Sequence, residues 1–257
     1  MTMPDPSMIA AGAKAAVDLI NLAQEEGWLE SLVNLFRKRH VVLVVGATGA
    51  GKTNFLNSLT EELPEAIHHL TRTPKLEKKK VQLNKKPFSF YDTPGQIEHK
   101  PKRRQAVRSA MSAGVEGVVN VVCYGYHEYA VGSGAAVTKT GRPRKVFLKK
   151  RRSVEIESLY EWMSTIDAST AKWMLTVVTK ADLWWDDRDA VMAHYERGQY
   201  ASALEPLARL DHAVLPYCSV FHRFFGISPL CGSFDDEERL RCRAHLLTTL
   251  LGYAARS

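Results

Sequence analysis

One octapeptide, Gly46-Ala47-Thr48-Gly49-Ala50-Gly51-Lys52-Thr53, constrains this chain more than any other segment. It fits the pattern G-x-x-x-x-G-K-[ST], and its flanks are as informative as the string itself. An apolar, β-branched run, Val41-Val42-Leu43-Val44-Val45, precedes it, and Asn54-Phe55-Leu56-Asn57-Ser58-Leu59 continues it with helical spacing. A strand, a glycine loop and a helix in that order form a unit that wraps an anion. The glycines permit a tight curl with several N–H groups aimed inward, and the helix N-terminus adds partial positive charge. The candidate phosphate-binding positions are Thr48, Gly49, Ala50, Gly51, Lys52, Thr53 and Asn54. Lys52 can reach β- and γ-phosphates, and the Thr53 hydroxyl is a candidate ligand for Mg²⁺.

The rest of the chain alternates between period-2 and period-3.6 apolar patterns, which predicts an α/β fold with a mostly parallel sheet covered on both faces. Strands are expected at 40–46, 76–83, 87–92, 117–123, 173–179 and 213–219. Helices are expected at 52–60, 101–113, 154–166, 187–197, 200–209 and 235–253, with an irregular stretch from 124 to about 152. Residues 1–37 read as a helical extension, broken near Gly27, ahead of a domain spanning 38–257. The chain has 257 residues, a size that suits one large α/β domain with an appendage. It contains no apolar run of 18 residues and no secretory pattern at its N-terminus, so a cytoplasmic protein is expected. The four cysteines, Cys123, Cys218, Cys231 and Cys242, show no C-x-x-C pairing; buried reduced thiols are the expectation rather than a metal site.

Further motifs follow in order. Asp92-Thr93-Pro94-Gly95 ends a strand about 40 residues after the glycine loop. An aspartate there can hold Mg²⁺ through water, and Gly95 can offer its N–H to a γ-phosphate. Between the two motifs lies Leu70-Thr71-Arg72-Thr73-Pro74. Either threonine can bring a hydroxyl to Mg²⁺; Thr71 is preferred, because Pro74 holds Thr73 extended. Thr179-Lys180-Ala181-Asp182 ends another apolar strand. A carboxylate at Asp182 can accept the N1 and N2 hydrogens of guanine, a pair that adenine lacks, while the Lys180 stem lies along the purine face. Cys218-Ser219-Val220 ends the last strand, where the N–H groups of Ser219 and Val220 can meet the guanine O6.

This ordered set resembles the translation-factor-related P-loop GTPases, with a form closest to their Era-like, septin-like and interferon-inducible branches. The resemblance covers about residues 40–253. It implies a three-layer G domain that binds GTP or GDP with Mg²⁺, held by Thr53, Thr71 and Asp92, with switch segments near 62–75 and 93–110. Lys52, Thr71 and Gln96 are the candidate catalytic residues. Gln96 directly follows Gly95, where Ras-like members carry a glutamine that orients the attacking water. Thr48 stands where those members carry glycine, and no arginine finger is fixed by the sequence. Slow intrinsic hydrolysis, stimulated by a partner or by homodimerisation across the nucleotide face, is the expectation. A nucleotide-dependent assembly module with negligible turnover is the alternative.

The formal charge is +7, and it is unevenly placed. Basic segments lie at 75–86, 100–108 and 139–152, the last with eight basic residues in fourteen. A solvated loop, an RNA or ribosome contact, and a protein or anionic-membrane contact are all compatible with such runs. Tyr126, His127 and Tyr129 are either base-stacking residues or residues that pack the loop onto its own domain. Trp184 and Trp185 are expected to anchor the following helix or to cover the base.

Overall fold

The computed structural model describes residues 39–59, 77–93, 107–127, 144–219 and 233–256. The helical extension 1–37, Thr71, Thr73, Gly95, Gln96, Val220 and Tyr129 lie outside the described residues, as do most of both switch segments.

Six strands form one sheet: β1 (His40–Val45), β2 (Glu77–Leu83), β3 (Lys86–Asp92), β4 (Gly117–Val122), β5 (Trp173–Val178) and β6 (Asp211–Pro216). Their order is β2-β3-β1-β4-β5-β6, with only β2 antiparallel to its neighbour. β1, β4 and β5 are buried along their whole length, as their unbroken apolar sequences require of central parallel strands. The helices described in full are α1 (Lys52–Leu59), α2 (Lys145–Asp167), α3 (Arg188–Arg197), α4 (Gln199–Ala203) and α5 (Asp236–Arg256), and residues 107–112 are also helical. α1 packs on β3, α2 on β4, and α3 and α5 on β6. None of the described helices is long and apolar enough to cross a membrane.

At the amino end of β4, Gly117 faces Trp173 of β5 across the ladder. A Cβ on Gly117 would lie 2.0 Å from the indole, so the missing side chain makes room for a ring that stacks on Tyr253 of α5 at 4.6 Å. At the other end of the sheet, Tyr217 accepts or donates a 2.7 Å hydrogen bond with Ser58 of α1 and packs edge-on against Phe55. The segment after β6 is thereby tied to the helix that follows the glycine loop.

Two expectations need correction. The irregular stretch does not run to about residue 152: α2 begins at Lys145, so the last eight residues of the basic run are helical. Only Leu148 is buried among them, and Val146 is 82% exposed, so these turns lack the apolar stripe that marks a helix in sequence. The single helix expected at 200–209 is a short helix, Gln199–Ala203, followed by a 3₁₀ turn, Glu205–Leu207, with Pro206 at its start.

Candidate functional site

The loops after β1, β3, β4, β5 and β6 all leave the carboxyl edge of the sheet. The chain passes from β1 to β3 on one side and to β4 on the other, which makes β1 the switch point where open α/β sheets bind ligands. The glycine loop occupies that position. Gly46 has φ +137°, and a Cβ there would lie 2.2 Å from the carbonyl oxygen of Val121 in β4. Only glycine lets the loop leave the sheet this close to its neighbour. Gly49 and Gly51 also have positive φ, and Phe55 N–H closes the first turn of α1 on Gly51 O at 2.8 Å.

Lys52 is 7% exposed, with its ammonium inside the curl of the loop. It donates to Gly46 O at 2.7 Å and Ala47 O at 3.0 Å, which points the charge at the space the loop encloses. Thr53 follows, partly buried, at the N-terminus of α1. Asp92, 2% exposed, ends β3 beside Val44 of β1. Thr93 anchors that strand end, its N–H and hydroxyl both donating to Val44 O, at 3.3 and 2.8 Å. A hydroxyl and a carboxylate are hard oxygen donors, the set that suits Mg²⁺ shared with phosphate oxygens.

The segment after β5 is bonded directly to the glycine loop. Thr179 Oγ1 donates within reach of Ala50 O (2.6 Å) and Val122 O (2.9 Å). Lys180, in the left-handed region at φ +61°, donates to Gly49 O at 2.9 Å and Tyr126 O at 2.5 Å. Its stem therefore runs from the end of β5 to the phosphate side. Asp182, 1% exposed, lies in the 3₁₀ turn Ala181–Leu183, with Cys218 Sγ 3.5 Å from its Oδ1. Ala181 N–H donates to Tyr217 O, which brings the Cys218-Ser219 segment alongside. Trp184, 1% exposed, donates from Nε1 to Thr179 O at 2.8 Å, so it anchors the Thr179–Asp182 turn from beneath.

The described start of the loop after β4, residues 123–127, packs onto the domain, with Tyr126 at 7% and His127 at 1% exposure. Packing, not base stacking, is their role. The sequence reading missed Glu155 of α2, 1% exposed, whose Oε1 accepts the N–H groups of Cys123 and Gly125 at 3.0 Å each. Its Oε2 accepts the Tyr195 hydroxyl at 2.6 Å. Burial raises the Glu155 carboxyl above its usual range. No pattern in the sequence links Glu155 to Cys123, because the pair spans an insertion.

The mostly parallel six-stranded sheet with flanking helices and the glycine loop at its switch point are consistent with the α/β fold of P-loop GTPases. Residues 41–156 match the family model described as 50S ribosome-binding GTPase, a span that is less than half of the chain. No curated protein matches the chain. Among solved structures, the Arl6 BBS3 small GTPase from Trypanosoma brucei with bound nucleotide analogue GppNp is similar at 12% identity, over 74% of this chain and 94% of that one, with a TM-score of 0.44.

Proposed function

We propose that this protein is a guanine-nucleotide switch that binds GTP with Mg²⁺ and hydrolyses it slowly until a partner or a second copy stimulates turnover. The observation that carries the reading is the pair of bonds from Thr179 to Ala50 and from Lys180 to Gly49. They make the base-reading turn and the phosphate loop one rigid unit, as recognition of a single nucleotide requires.

In this reading the loop N–H groups from Thr48 to Asn54 and the Lys52 ammonium hold the β- and γ-phosphates and stabilise charge that develops on transfer. Thr53, Thr71 and Asp92 would hold Mg²⁺, which when bound would supply positive charge against that of the phosphates. Asp182 selects guanine, the Lys180 stem supports the purine, and Ser219 and Val220 offer N–H groups to O6. Gly95 senses the γ-phosphate and Gln96 orients the attacking water. Thr48 in the loop, with no arginine fixed nearby by sequence, is the reason for slow unassisted turnover.

The family description names 50S ribosome binding. Arg144, Lys145, Lys149 and Lys150 expose a basic surface on the first turns of α2, a surface suited to RNA phosphates. Ribosomal RNA is accordingly the partner we assign to it. The test of the central reading is Lys52→Ala: GTP affinity should collapse in a titration with fluorescent nucleotide, and unchanged affinity would refute it.

A further inference from the structure

Beneath the loop after β4, the donor atoms of Cys123, His127 and Glu155 all lie within 4.8 Å of one another, and all three residues are buried. His127 Nε2 stands 3.6 Å from Glu155 Oε1, longer than a hydrogen bond, and neither ring nitrogen has a hydrogen-bond partner. A fully buried imidazole with both nitrogens unsatisfied is uncommon in a folded protein and points to an absent ligand.

We propose that Cys123, His127 and Glu155 supply three ligands of a tetrahedral site for a borderline-soft divalent cation, zinc foremost, separate from the nucleotide's Mg²⁺, with the fourth position open to water. A thiolate, an imidazole and a carboxylate are zinc donors, and the sulfur disfavours magnesium or calcium. Tetrahedral bonds of about 2.0–2.3 Å put neighbouring ligand atoms about 3.3–3.8 Å apart. The three donor atoms, within 4.8 Å of one another, need to close by on the order of 1 Å to reach those separations. The carboxylate is already oriented: Oε1 accepts the Cys123 and Gly125 N–H groups, and Oε2 accepts the Tyr195 hydroxyl and keeps a lone pair for a metal.

The surroundings act on the donors in both directions. Burial first, then the fields of Lys180, Arg151 and Lys52, keep His127 neutral, down at about 3. Burial raises the Cys123 thiol strongly, while Lys180 favours its thiolate. These cations oppose a bare dication, but thiolate and carboxylate bring two negative charges, so the loaded site is neutral. Sequence spacing conceals the site, because one cysteine joins two ligands of other types from across the insertion. The metal would tie the start of the loop after β4, whose Tyr126 carbonyl accepts Lys180, to α2. Only that consequence for nucleotide retention rests on the GTP reading; the site itself does not.

The test uses the full chain, purified without chelator or histidine tag and loaded with zinc or cobalt. The expected result is one equivalent of zinc by elemental analysis, a near-ultraviolet sulfur-to-cobalt charge-transfer band, and loss of both in Cys123→Ser and His127→Ala, with Cys242→Ser unaffected. X-ray absorption at the zinc edge of the unaltered protein should show one sulfur among nitrogen and oxygen neighbours, a readout independent of whether the variants fold. Failure to bind metal, a band that survives Cys123→Ser, or a zinc shell with no sulfur or several would overturn the proposal. Loss of GTP binding in Lys52→Ala bears on the nucleotide reading alone.

Discussion

Lys180 donates from Nζ to the carbonyl of Gly49 at 2.9 Å, a bond that joins the turn after β5 to the phosphate loop across 131 positions of sequence. The same ammonium reaches Tyr126 O in the loop after β4. Three loops from three strands therefore meet on one side chain. Lys180→Met keeps the apolar stem and removes both bonds. Hydrogen bonds from a charged donor contribute about 1.5–3 kcal/mol each, part of which water restores, so nucleotide affinity should fall about 10- to 100-fold. Fluorescent-nucleotide titration measures it, with thermal unfolding as the check that the fold persists.

Asp182 is buried at the end of the same turn, and its carboxylate can only accept. Asparagine at this position presents an amide N–H to the base edge. Xanthine carries a carbonyl at C2 where guanine carries its amino group, so Asp182→Asn should exchange preference from GTP to XTP. Two lost bonds to a charged acceptor weaken GTP by at least about 100-fold. Competition between the two nucleotides reads the exchange directly. Equal weakening of both would show that Asp182 does not face the base.

Gly117 provides a control at the opposite end of the sheet. Its added Cβ in Gly117→Ala would meet the Trp173 ring at 2.0 Å, and that ring is held by its stack on Tyr253. Overpacking of this kind costs about 1–3 kcal/mol. Denaturant unfolding should register the loss, while GTP affinity of the folded protein stays within about twofold, because the site lies at the carboxyl edge.

The phosphate loop and sheet were legible in the sequence because their physics is local. Gly46 has to be glycine where its backbone touches Val121, and β1, β4 and β5 must be apolar throughout to lie buried between neighbours. The anchoring role of Trp184 was half legible, since its position just after Asp182 marked it, but its bond to Thr179 O needed coordinates. The start of α2 was not legible. Lys145–Arg152 buries one side chain, so solvation and helix-compatible straight-chain residues, rather than an apolar stripe, carry those turns. Glu155 was hidden for another reason: its partners Cys123, Gly125 and Tyr195 come from two other segments, and only the tertiary fold brings them to it.

His194 makes the pH dependence of stability testable at a single residue. It sits on α3 edge-on to Tyr124 and Tyr195, with ring centroids 5.6 and 4.9 Å away. Burial first, and the nearby Arg152 second, lower it from 6.5 to about 4. Between those values the unfolded chain binds a proton at this position and the folded chain does not, so stability rises with pH across the window. The contribution is lost as pH falls from about 6.5 towards 4. His194→Phe keeps an aromatic ring against both tyrosines and removes the titration. Its stability should therefore depend less steeply on pH in that window, by about one proton per molecule, and match the unaltered protein's slope above pH 7. Denaturant midpoints collected at several pH values measure the slopes, and parallel curves throughout would assign the acid sensitivity to other groups.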